Sequence, residues 1–119
     1  MPSVQAAVWR WASVVAWAAL IFVLSSISAF GTDLGVWEFI LPKAVHLLEF
    51  AVLGFLLLWA TRREGAALVL GIAYAASDEV HQRFVPGRHG SVLDVVIDTV
   101  GVAIGIYLAR RAGLGRGGD

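Results

Sequence analysis

The chain contains no cysteine, which excludes disulfides, thiolate nucleophiles and thiolate metal ligands while leaving the compartment open. It is also poor in charge. Only 15% of its 119 residues are Asp, Glu, Lys or Arg, against about 25% in a typical soluble domain. Nine basic residues balance nine acidic ones, so there is no basic surface for nucleic acid. No low-complexity linker or internal repeat divides the chain, and its length suits one domain. What is abundant is apolar: 59% of residues are hydrophobic, and the mean hydropathy is +0.79.

The apolar residues fall into four segments, at about 8–29, 42–61, 65–81 and 91–109. A membrane span needs roughly 20 mostly apolar residues at about 1.5 Å rise each. Four such helices in water would leave almost no polar outer face. The pattern therefore predicts an all-α fold, an integral membrane four-helix bundle. It forms a single transmembrane domain over 1–112, followed by a flexible Gly-rich tail at 113–119. The third segment is short and carries its charges at one end, as a span ending in the interface would. The first segment follows Arg10 and ends in Ser25-Ser26-Ile27-Ser28-Ala29, which resembles a signal peptide. It is longer than the usual apolar region of about 7–15 residues, so it reads as an uncleaved span.

Basic loops stay cytoplasmic. Arg10, the Arg62-Arg63 pair, and Arg110, Arg111 and Arg116 fall on one side of a four-span chain. The first loop, 31–41, carries Asp33 and Glu38 and no basic residue. Both termini are thus expected in the cytoplasm, with loops one and three outside. Arg83 and Arg88 oppose this rule and are read as held by local pairing.

This topology gathers the polar residues at one end of the bundle. His46 and Glu49 begin span two and share a face three residues apart, with Lys43 just before them. Asp78, Glu79, His81 and Gln82 end span three. Asp78, His81 and Gln82 share a face, whereas Glu79 lies about 100° around and pairs in sequence with Arg83. Asp78 beside His81 would keep an imidazole basic and oriented. Phe84-Val85-Pro86-Gly87-Arg88 reads as a tight turn presenting Arg88, whose guanidinium suits phosphate or carboxylate as well as it suits neutralising a buried acid. Ser91 reads first as the N-cap of span four. Asp94 and Asp98 then share a stripe with Gly101 and Gly105, a small-residue surface for close helix packing. Asp98 is the deepest charge. Ionisable groups inside spans cost about 2.5–3.5 kcal/mol each on insertion scales, so their retention marks the functional region.

Read as chemistry, His46, Glu49, Asp78, His81 and Asp94 are the candidate catalytic, proton-moving residues. Lys43, Gln82 and Arg88 are the candidate substrate-binding residues. Glu79, Arg83, Ser91 and Asp98 form the polar network that holds them. Five acids face three firm positive charges at this end, so the excess calls for protonated carboxyls, a protonated histidine or a bound cation. No tight ligand spacing such as His-x-x-x-His is present, and both metal and cofactor are left unassigned.

Three blocks together resemble the VanZ-like family of small bacterial membrane proteins. They are Lys43-x-x-His46-x-x-Glu49 with the Gly54 region, Asp78-Glu79-x-His81-Gln82 with Phe84-Val85-Pro86-Gly87-Arg88, and Ser91-x-x-Asp94 leading to Asp98-Thr99-x-Gly101. The resemblance covers Lys43 to Gly105. It departs at Asp98, where many relatives have Asn. It implies a cell-envelope role in the bacterial cytoplasmic membrane and a family link to glycopeptide (teicoplanin) resistance. A shared motif does not by itself transfer a phenotype. Three readings stay open. One is an envelope protein, enzymatic or not, acting on a lipid-linked or phosphate-bearing precursor. The second is a component of a proton- or cation-coupled transporter or flippase, with Asp94 and Asp98 titrating. The third is a non-catalytic membrane assembly partner. The lipid bilayer is the partner common to all three.

Overall fold

The computed structural model describes residues 3–26, 36–85 and 91–114, and in these the chain is all helix and turn. Four helices follow one another: α1 (Val4–Ser25), α2 (Val36–Thr61), α3 (Glu64–Gln82) and α4 (Val92–Arg111). Arg88, the rest of its turn from Pro86, most of the first loop and the tail from residue 115 lie outside the described residues.

Local chemistry sets the helix ends. The Ser3 hydroxyl accepts from the Ala6 amide, so α1 begins four residues before the segment marked at 8–29. α2 begins before Pro42, the residue taken as its start, and carries that proline inside. α2 ends where Arg62 adopts the left-handed conformation (φ 61°) and its amide bonds the Leu58 carbonyl. The Thr61 hydroxyl also donates to the Leu57 carbonyl. Two residues, Arg62 and Arg63, therefore suffice to turn the chain into α3. Ser91 caps α4 by accepting from the Asp94 amide at 3.2 Å.

α1, the Ile40–Thr61 part of α2, and α4 are long and apolar enough to cross a membrane. At about 1.5 Å per residue they match a hydrocarbon core of roughly 30 Å. Four spans were expected, and α3 is the helix that does not meet this measure. Its 19 residues include Glu64, Asp78 and Glu79. The pattern of exposure is inverted relative to a water-soluble bundle. Val15, Leu48, Val69 and Val96, one from each helix, all face outward, as membrane helices do.

α2 is the hub and packs against α1, α3 and α4. Phe50, Leu53, Leu57 and Leu58 of α2 meet Val102 and Ile106 of α4 and Ile21 of α1 in the buried core. The α2–α4 crossing is backbone against backbone. A Cβ on Gly101 would lie 2.6 Å from the Leu47 carbonyl oxygen, and one on Gly105 would overlap the Ala51 carbonyl. Gly54 does the reverse service, admitting the Val102 carbonyl of α4. α3 lays a stripe of Ala67, Gly71 and Ala75 against the bundle and continues it with Asp78 and Gln82. α1 is tied on by two long hydrogen-bonding side chains. The Trp17 indole donates to the Glu49 backbone carbonyl at 2.8 Å, and the Tyr74 hydroxyl donates to the Ala18 carbonyl.

Candidate functional site

The polar residues converge because four helix ends meet. α2 and α4 begin where α1 and α3 finish, so the first turns of two helices face the last turns of the others. The opposite end is where the arginines gather. Arg10 lies over the Trp59 ring, Arg110 pairs with Glu64, and Arg62 and Arg63 form the α2–α3 turn.

At the centre of the polar end is His46. Its Nδ1 lies 3.1 Å from Asp98 Oδ1 on α4, and its Nε2 lies 3.3 Å from Gln82 Nε2 on α3. Gln82 Nε2 also donates to Asp78 Oδ2 at 3.0 Å, four residues back on its own helix. The result is a chain, Asp98–His46–Gln82–Asp78, drawn from three helices. Asp98, Asp78 and Gln82 are only 1%, 3% and 3% exposed. Nearer the rim, Lys43 Nζ donates to Asp94 Oδ1 at 2.9 Å. Arg83 bonds Glu79 at 2.8 Å along α3.

The direction of this chain follows from donor capacity. With Asp78 ionised, the Gln82 amide must present its NH2 group to that carboxylate. The same group then faces His46 Nε2, which has to accept. The ring proton therefore sits on Nδ1 and is donated to Asp98. The arrangement holds one tautomer and one ring orientation, as a carboxylate does for a catalytic or metal-bound imidazole.

The candidate residues divide accordingly. His46, Asp78, Gln82 and Asp98 come together in one network. Lys43 and Asp94 form a neighbouring ion pair. Glu49 is buried one turn below His46, and its backbone carbonyl receives Trp17. Glu79 and Arg83 pair with each other. Ser91 is a helix cap. His81 departs from expectation: it turns toward α1 and makes no bond to Asp78. Its ring stacks on Phe22, with centroids 4.1 Å apart, and its Nε2 lies 3.2 Å from the Ser26 hydroxyl. Ser26 already donates to the Phe22 carbonyl, so the histidine is the donor in that contact. Positions three apart on a helix are offset by about 60°, which is enough for Asp78 to face α2 while His81 faces α1. Arg88 lies outside the described residues.

A family model described as VanZ/LLP1 matches residues 10–113. The chain belongs to the VanZ/LLP1 family. The match takes in nearly the whole chain, including every pocket residue named above. No curated protein and no solved structure gives a significant match. Within this VanZ-family chain, the contribution of α1 was missed from sequence. Trp17 holds the Glu49 backbone, and Phe22 and Ser26 take up the His81 ring. Their signal was present as polar or aromatic side chains on an otherwise aliphatic span, but nothing in the spacing says which partner each meets.

Proposed function

We propose that this VanZ-family protein crosses the bacterial cytoplasmic membrane four times with both termini inside, and that its pocket acts on a lipid-linked or phosphate-bearing precursor of the cell envelope. The observation that carries the reading is the Asp98–His46–Gln82–Asp78 chain lying beside Lys43 at one end of the bundle. His46, oriented by Asp98, is the proton-accepting group. Lys43 draws the anionic part of the substrate to the rim, and Arg88, given this role on its sequence motif alone, joins it. Asp94 positions Lys43. Glu49 and His81 support the pocket from the α2 and α1 sides. The family link to teicoplanin resistance fits a substrate in the envelope pathway.

The arginine-rich end is the cytoplasmic end by the positive-inside rule, which puts the pocket outside. α3 spans in this reading because residues 65–77 carry no charge and its outward face is apolar. The absence of native cysteine makes this direct to test. Phe84 is exposed beside the pocket, and a side chain at Gly65 meets open space at the other end. An impermeant thiol reagent should label Phe84→Cys in intact cells, and Gly65→Cys only after permeabilisation. The reverse pattern moves the pocket to the cytoplasm. Labelling of both from the same side means that α3 does not cross.

The substrate class has its own test. Native mass spectrometry of gently extracted protein should find a phosphate-bearing lipid enriched over its share of the membrane. Lys43→Gln should lower its occupancy about tenfold, the equivalent of one charge-assisted hydrogen bond, and Lys43→Arg should retain it. An unchanged lipid profile in Lys43→Gln removes anion binding from the proposal. A second reading, a cation- or proton-handling transporter component, draws on the two buried carboxyl groups at the ends of this chain of hydrogen bonds. The Asp98 variants discussed below separate it from the first.

A further inference from the structure

We propose that His46, Asp78 and Asp98 form a binding site for one divalent first-row transition-metal ion, of the Mn2+ or Zn2+ kind. Three observations converge on it, and none depends on what the substrate is.

The first is geometry. Each of the three residues offers a ligand atom, and these atoms lie within 4.8 Å of one another. A metal with bonds of about 2.1 Å holds its ligands no more than roughly 4.2 Å apart. Side-chain adjustments of a few tenths of an ångström therefore suffice to close the site. The ligands come from α2, α3 and α4, so the helix packing itself brings them together.

The second is an unmet valence. Asp78 is 3% exposed, and its Oδ1 is buried with no hydrogen-bond partner among the described residues. Its other oxygen already accepts from Gln82. An anionic oxygen removed from water with no donor is costly, and native structures retain such a group for a reason. A cation among the three residues supplies what this oxygen lacks.

The third is charge. Two buried carboxyl groups, Asp98 and Asp78, stand at the two ends of the hydrogen-bonded chain that runs through His46 and Gln82. Among the described residues, Lys43 pairs with Asp94 and Arg83 with Glu79. A divalent ion would bring the triad to neutrality. His46 would then ligate through one ring nitrogen, giving up the hydrogen bond that nitrogen now makes. One imidazole nitrogen with carboxylate oxygens favours a transition metal over Ca2+ or Mg2+, which prefer oxygen alone. Three protein ligands leave coordination positions open, as in sites that activate water or polarise a bound oxygen.

The test uses the purified full-length chain in detergent, stripped with a chelator and titrated with Co2+ followed by its visible bands, and with Mn2+ followed by its magnetic resonance. One equivalent should bind per chain and raise the thermal unfolding temperature. Asp78→Asn and His46→Gln should each weaken binding by more than about 100-fold, beyond the roughly 10–100-fold of an outer-shell change. Asp98→Asn, which keeps an oxygen but loses a charge, should weaken it less. Glu64→Gln, at the opposite end, should leave it unchanged. Should the pocket variants not fold, Mn2+ on the wild-type chain should still broaden the His46 ring resonances at one equivalent. Absence of saturable one-to-one binding, affinity unaltered in Asp78→Asn, or His46 signals untouched by Mn2+ would each overturn the site.

Discussion

Gly105→Ala is expected to lower stability by about 3 kcal/mol, because a single methyl group there has nowhere to go. The added carbon would overlap the Ala51 carbonyl and stand 2.8 Å from the Phe55 amide nitrogen, both backbone atoms of α2. Overpacking of this kind costs about 1–3 kcal/mol, and the upper end applies where no rotamer change can relieve it. The two helices must separate instead. The other glycines grade the effect. At Gly101 the clash is with the Leu47 carbonyl at 2.6 Å, again backbone. At Gly71 it is with Val102 Cγ1 at 2.5 Å, the end of a side chain that can shift. At Gly65 nothing lies within 4 Å, and alanine should be neutral or stabilising by up to about 1 kcal/mol through helix propensity. Thermal unfolding in detergent should rank the alanine variants in that order, with Gly105 the least stable. Equal effects at Gly65 and Gly105 would mean that α2 and α4 do not pack this closely.

The crossing matters for the site as well as for stability. Gly101 follows Asp98 by less than one turn, and Leu47 adjoins His46. The contact that only glycine permits therefore sets the 3.1 Å His46–Asp98 separation. Gly105→Ala should impair the pocket even though residue 105 touches none of its polar groups.

Much of this was legible in the sequence, because in a membrane protein the expensive residues are few. The helices followed from runs of apolar residues, and the convergence of His46, Asp78, Gln82 and Asp98 followed from alternating helix direction alone. The Gly101–Gly105 stripe forecast a close contact on the face that carries Asp94 and Asp98. Partner choice was harder to read. Lys43 and Asp94 are 51 residues apart, and only the rotation of α2 against α4 shows that they pair. His81 shares a helical stripe with Asp78, yet a stripe wide enough to touch two neighbours does not say which residue meets which. Helix starts were also displaced, since capping by Ser3 and the tolerance of Pro42 within α2 are local effects that hydropathy does not register.

Asp98 should tolerate loss of its charge but not loss of its oxygen. In Asp98→Asn the amide oxygen can still accept from His46 Nδ1, and the site sheds one of its two buried carboxyl groups. Folding should be close to wild type, and function should largely persist. Asp98→Leu removes the acceptor and leaves a buried imidazole N–H facing a methyl group. Breaking a buried polar pair from one side costs about 3–5 kcal/mol, so this variant should fail to accumulate or unfold readily. Asp94→Asn acts differently. It removes the anionic partner of Lys43 at the rim, where the two side chains are 24% and 17% exposed. A part-exposed pair contributes less than a buried one, so stability should fall by about 1 kcal/mol, while the placement of Lys43 toward substrate is lost. The three variants can be compared by yield, by thermal unfolding and by rescue of whatever phenotype a null strain shows. The expected order of function is Asp98→Asn above Asp94→Asn, with Asp98→Leu absent. If Asp98→Asn folds but is inactive while Asp94→Asn is silent, the working charge lies at the deeper position. The transporter reading would then displace the precursor-binding one, because a carboxylate that must carry charge inside the bundle serves ion or proton movement, whereas an oxygen that need only accept a hydrogen bond serves orientation of His46.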